Sequence, residues 1–142
     1  MIGLLVKPRE NPQIVTYDDY KDIQKYVNGL FDAPFTYRSP NRDGDIVLYC
    51  NDDILLKDEN QTFNFNVKND DNSFVRGWMT TRVPIYGTVL FAASTDEGED
   101  DDLTAEDIKY ICDIYDWRYV REQYPKAVDV TNIEAVRRML YD

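Results

Sequence analysis

Pro84-Ile-Tyr-Gly-Thr-Val-Leu-Phe-Ala-Ala93, then Ser94-Thr-Asp-Glu-Gly-Glu-Asp-Asp-Asp102, then Leu103-Thr-Ala-Glu-Asp-Ile108 run on without a break, and they set the architecture expected for the rest of the chain. Ile85 to Ala93 is short, β-branched and aromatic, which predicts a strand in the middle of a sheet. Gly87, near its start, marks a bulge or a close backbone approach. The acidic run cannot pack into a core and must lie in water or against something positive. Thr104 ahead of Ala105-Glu106-Asp107 predicts a helix start, with carboxylates at the positive end of the macrodipole. Ile108, Ile111, Cys112 and Tyr115 then recur as its inward stripe.

On the N-terminal side, Ile2 to Lys7 and Gln13 to Thr16 flank Pro-Arg-Glu-Asn-Pro and predict an opening hairpin. Thr16 before Tyr17-Asp18-Asp19 predicts a helix near residues 17–29, with Tyr20, Ile23, Val27 and Leu30 inward and Gly29 at its C-terminal cap. Phe35 to Arg38 and Ile46 to Cys50 form a second hairpin around Asp43-Gly44. Ile54-Leu55-Leu56 is a further apolar segment, and Thr62 to Val67 alternates as a half-buried strand. Ser73 to Met79 is a strand or an irregular segment carrying Trp78. On the C-terminal side, Trp117 to Tyr124 predicts a continuation of the helix as far as Pro125, and Val128 to Val130 is short and β-like. Thr131-Asn132-Ile133-Glu134 matches a capping box opening a last helix, with Ile133, Val136, Met139 and Leu140 inward. The fold class expected is α+β: a single domain over residues 1–142 with a mostly antiparallel sheet, on which the helix near 17–29 and the C-terminal helices pack.

The formal charge of −11 is unevenly placed. Residues 1–93 carry 13 acids against 10 bases, residues 94–107 carry 8 acids and no base, and residues 108–142 carry 6 of each. Such a chain repels a phosphate backbone, which argues against direct nucleic-acid binding. No stretch approaches the length of apolar sequence that a spanning helix needs, and the N-terminal apolar run is too short for a signal peptide, so a cytoplasmic protein is expected. Cys50 and Cys112 each stand among apolar neighbours, where a reduced thiol behaves as a small hydrophobe.

Histidine is absent. That removes the usual general base, the Ser-His and Cys-His nucleophile pairs, and zinc sites that rely on imidazole. No phosphate loop, dinucleotide fingerprint or nucleophile elbow occurs. The acidic run lacks the alternation of a calcium loop, since counting back from Gly98 as the sixth place puts Ala93 first. No catalytic residue, metal site or cofactor is therefore expected, and the chain is read as not an enzyme.

Clustered carboxylates create a local negative potential that attracts a basic surface. Asp96, Glu97, Glu99, Asp100, Asp101 and Asp102 are thus candidate partner-binding residues, against the plainer reading of a solvated loop. Trp117, Arg118 and Arg121 are a second candidate set, because Trp and Arg dominate interface hot spots; core packing competes with that reading. The partner expected is a host protein with a basic surface. One loop is too short to imitate a duplex, so a competitor for a single pocket fits better.

Several stretches together resemble a known family: Leu4-Leu-Val-Lys-Pro-Arg-Glu-Asn-Pro12 with Ile14-Val15, Tyr26-Val-Asn-Gly29, Asp45-Ile-Val-Leu-Tyr-Cys-Asn51, Ile85-Tyr-Gly-Thr-Val-Leu90 and Asp102-Leu-Thr-Ala-Glu-Asp-Ile108. In order and spacing they look like the small acidic domain-of-unknown-function family three-eight-four-six, over residues 1 to about 115. The glycine that usually follows the Cys-Asn turn is missing at Asn51-Asp52-Asp53, and Phe65-Asn-Val-Lys-Asn69 replaces the family's Asn-Arg motif. Residues 116–142 then read as an added helical extension. The resemblance implies an accessory protein of phage or mobile-element type acting in a bacterial host, and it supplies no catalytic residue. The function expected is a non-enzymatic acidic binding protein, in its most specific form an anti-CRISPR or anti-restriction inhibitor. Alternatives are a module that sequesters a small metabolite or signalling nucleotide, and a carboxylate-dependent metal enzyme.

Overall fold

The computed structural model describes residues 1–52, 62–68, 73–75, 82–123 and 126–141. In chain order they form β1 (Ile2–Val6), β2 (Gln13–Thr16), α1 (Tyr20–Val27), β3 (Phe31–Arg38), β4 (Asp45–Asn51), β5 (Phe63–Lys68), β6 (Ser73–Val75) and β7 (Arg82–Tyr86). There follow β8 (Val89–Ser94), β9 (Asp100–Asp101), α2 (Ala105–Tyr115), β10 (Tyr119–Arg121), β11 (Ala127–Asp129) and α3 (Ile133–Tyr141). The large sheet has the order β11-β10-β2-β1-β8-β4-β3-β6, with β9 paired to the end of β8, and β5 and β7 make a separate two-stranded sheet. The fold is α+β and mostly antiparallel, a single domain as the patterning implied.

β8 shows why Val89 to Ala93 are apolar without a break. Val89, Phe91 and Ala93 face one core and Leu90 and Ala92 the other, and all five are at most 2% exposed. A strand covered on both faces reads as a continuous apolar run rather than an alternation. It lies between β1, with Leu4 opposite Phe91, and β4, with Leu48 opposite Phe91, antiparallel to both. The first core takes in Leu4, Ile46 and Leu48 from the large sheet, Phe65, Val67 and Ile85 from the small one, Ile108 and Ile111 of α2, and Val136 of α3. The second joins Leu5 and Val15 to Tyr17 and to Ile23 and Val27 of α1.

The expected strand over residues 85–93 is divided. Gly87, at φ 75°, turns the chain out of the small sheet and into the large one. Its N–H donates to Thr62 O at 2.8 Å, and Asn64 Nδ2 donates to both Gly87 O and Val6 O, at 2.7 and 3.0 Å. The first helix also starts later than expected. Tyr17 N donates to Met1 O at 2.9 Å, so Thr16 and Tyr17 prolong the hairpin, and Asp19 is the N-cap. Tyr20 and Leu30, expected inward, are exposed, and the left-handed C-cap is Asn28 rather than Gly29. β3 begins before Pro34 and shifts register between Asp32 and Phe35, where proline cannot donate to the ladder.

The helix expected over residues 117–124 is overturned. Asp116, at φ 59°, caps α2, Trp117 N donates to Cys112 O at 2.9 Å, and the chain continues as β10, parallel to β2 with Arg121 opposite Gln13. The extension is therefore strand, strand and helix. The last helix is opened by Asn132, whose Oδ1 accepts from Ala135 N at 3.3 Å, while the Thr131 hydroxyl donates to Asp129 instead. Ile54-Leu55-Leu56 and Trp78 lie outside the described residues.

Candidate functional site

The acidic run is a hairpin. Thr95 N donates to Glu99 O at 2.7 Å, Gly98 N to Thr95 O at 3.0 Å and Glu99 N to Thr95 Oγ1 at 3.1 Å. Gly98 occupies positive φ at the tip with open space around it, and β9 returns with Asp100 opposite Ser94 and Asp101 opposite Ala93.

Its acids divide by task. Asp101 Oδ2 receives Arg42 Nη2 at 2.6 Å. Asp102 Oδ1 accepts from Ile2 N at 2.8 Å, and Leu103 N donates to Ile2 O at 3.1 Å, tying the hairpin's return to the edge of β1. Asp107, fully buried, takes Arg42 Nη1 at 2.7 Å, the Ser39 hydroxyl at 3.1 Å and Thr104 N at 3.0 Å, while its own N–H donates to Thr104 Oγ1. Arg42 is nine-tenths buried between these carboxylates and also donates to Asp102 O. Asp96, Glu97, Glu99 and Asp100 are exposed, and among the described residues no lysine or arginine pairs with them.

The β3–β4 turn adds to this surface. A polar cavity of about 420 Å³ is lined by Arg38, Ser39, Arg42, Asp43, Gly44, Asp45 and Asp96. The two turns meet closely: a Cβ on Gly44 would stand 1.8 Å from Ser94 O. Asp43 and Asp45 thus join Asp96 on one rim, an arrangement the sequence reading missed, because nothing in an Asn-Arg-Asp-Gly turn tells which distant loop it will touch. Arg42 was missed for the same reason.

The second candidate set separates. Trp117 turns into the first core, stacked on Tyr115 at 4.8 Å and edge-on to Phe65 at 5.2 Å between centroids. Arg118 is exposed, 3.4 Å from Asp129 and over the Tyr119 ring at 5.3 Å, and Arg121 pairs with Glu10 at 3.1 Å. β10 stands three strands from β8, roughly 14 Å at ordinary strand spacing. It meets β2 at Gln13, opposite Leu5, whereas β9 meets the far end of β8. The structure therefore does not bring Arg118 and Arg121 to the acidic hairpin.

Hydrogen bonding from Arg137 holds the Glu106 carboxyl below its ordinary value, and hydrogen bonding from Thr131 does the same for Asp129. Burial pushes the thiols of Cys50 and Cys112 up to about 12, so both stay protonated and unreactive near neutrality. Among the described residues no cluster of carboxylates or thiols is arranged to hold a metal ion, and no helix is long and apolar enough to cross a membrane. A family model described as a domain of unknown function, DUF3846, matches residues 1–116. No curated protein and no solved structure matches the chain.

Proposed function

Because the chain belongs to the DUF3846 family of unknown function, we propose, from its surface rather than from that membership, that it is a non-enzymatic binding protein whose hairpin tip occupies a basic surface of a host protein. Its most specific form is an inhibitor of a host defence nuclease, encoded by a phage or mobile element and acting in the bacterial cytoplasm. One observation carries the reading. The inner acids of the run are used by the fold, while Asp96, Glu97, Glu99 and Asp100 stand exposed on a hydrogen-bonded hairpin, with Asp96 on one rim with Asp43 and Asp45. Exposed like charges held together cost self-repulsion, and a basic partner relieves it. A single tip suits one pocket of a nucleic-acid channel better than the length of a duplex groove.

The test is retention of host proteins from a bacterial lysate on immobilised wild-type chain and on an Asp96→Asn, Glu97→Gln, Glu99→Gln variant. These three side chains leave Asp101 and Asp102 to hold the fold. A basic nucleic-acid-binding protein kept by the wild type at low salt, released as salt rises and lost in the variant is the expected outcome. Equal retention by both removes the tip from the mechanism.

A further inference from the structure

Tyr17 lies beside the base of the acidic hairpin. Its side chain is 2% exposed, and its hydroxyl oxygen is buried with no hydrogen-bond partner among the described residues. Tyr17 extends β2 opposite Met1, and its ring passes over Gly3, where an added Cβ would stand 3.4 Å from Tyr17 Cε1. Gly3 neighbours Ala92 on β8, since Leu4 faces Phe91, and two residues further along the same face Ser94 stands opposite Asp100. The hydroxyl's surroundings agree with that placement: burial first, then Asp100, Tyr49, Asp102 and Asp101 raise its pKa above the ordinary phenol value. A buried polar group without a partner lowers stability, and folded chains keep few of them.

We propose that Asp100 and Tyr17 form a subsite for one arginine side chain of the partner, with Asp100 taking the charge and the Tyr17 oxygen accepting a guanidinium N–H. A planar guanidinium has enough fixed donors to serve a carboxylate and still reach a neutral acceptor beside it, whereas an ammonium is a compact point charge that the carboxylate alone satisfies. Asp100 is exposed and open to a partner, and in this subsite the guanidinium reaches the buried hydroxyl from the side of that carboxylate. The subsite rests on the reading of the hairpin as a surface for a basic partner.

The experiment titrates hexa-arginine and hexa-lysine peptides into the full chain and into Tyr17→Phe and Asp100→Asn variants, with the thermal midpoint of each protein recorded. The wild type should prefer the arginine peptide. Tyr17→Phe should lose about tenfold in affinity for it, as expected for one charge-assisted hydrogen bond. It should bind the lysine peptide unchanged and keep or raise the midpoint, because the hydroxyl has no partner to lose among the described residues. Asp100→Asn should weaken both peptides. If the wild type binds neither peptide, the basic-partner reading fails and the subsite with it. If the wild type binds but Tyr17→Phe retains full arginine affinity, or lowers the midpoint, the subsite alone is overturned.

Discussion

Asp107 is fully buried because its two oxygens receive Arg42, Ser39 and Thr104 together. Removing Arg42 leaves that charge uncompensated in the core. Arg42→Met is expected to destabilise the chain by about 3 to 5 kcal/mol in urea unfolding, and Asp107→Asn to recover part of the loss in the double variant. Gly44→Ala forces its methyl onto Ser94 O, and a backbone atom cannot step aside as a side-chain end can. A loss of at least about 2 kcal/mol is expected, measured the same way. Burial on folding raises the thiols of Cys50 and Cys112 from the ordinary value of 9.0 to about 12. With both raised, their contribution is complete below the unfolded value and is lost as pH climbs through the folded value. Stability of a Cys50→Ala, Cys112→Ala variant should accordingly fall less steeply than that of the wild type between pH 9.0 and about 12.

At the scale of elements, α2 was legible because its start is local chemistry: Thr104 and Asp107 satisfy each other's backbone in a capping box. Thr104→Ala should cost about 1 kcal/mol and lower the thermal midpoint. The hairpins were legible from their turns, and β8 from its composition. What failed was decided by tertiary contact. Thr16 has the chemistry of a cap, but the pairing of Tyr17 with Met1 and the burial of its ring hold the segment extended, and Asp19 takes the capping role. Trp117 to Arg121 continues a helical pattern on paper. Burial of Val120 beside β2 and of Trp117 against Phe65 and Tyr115 makes it a strand, and its Tyr-Val-Arg alternation was the available clue. Of the candidate site, the charge was legible. Its division between acids bonded to the fold and acids at the exposed tip was not, since Arg42 and Ile2, which bond the inner acids, are some sixty and a hundred positions away in sequence.

At the scale of the whole molecule, residues 117–141 complete the first core that the family-matched region begins. Val120, Val130 and Val136 are at most 1% exposed, and each contributes about 1.5 to 3 kcal/mol on burial. A chain ending at Asp116 should therefore lose cooperative unfolding or aggregate, as followed by circular dichroism and light scattering. The charge of the whole is arranged on the same sheet: acids that touch β1 and the β3–β4 turn are bonded to it, and acids at the hairpin tip make no ion pair among the described residues. Thermal unfolding of the Asp96→Asn, Glu97→Gln, Glu99→Gln variant, beside the wild type at low and high salt, tests that division most directly. Tip carboxylates that serve only a partner repel one another in the free protein. The variant should therefore melt at or above the wild-type midpoint at low salt, and the difference should vanish at high salt. A midpoint lowered as far as that of Arg42→Met would contradict it, placing the tip among the residues that build the fold.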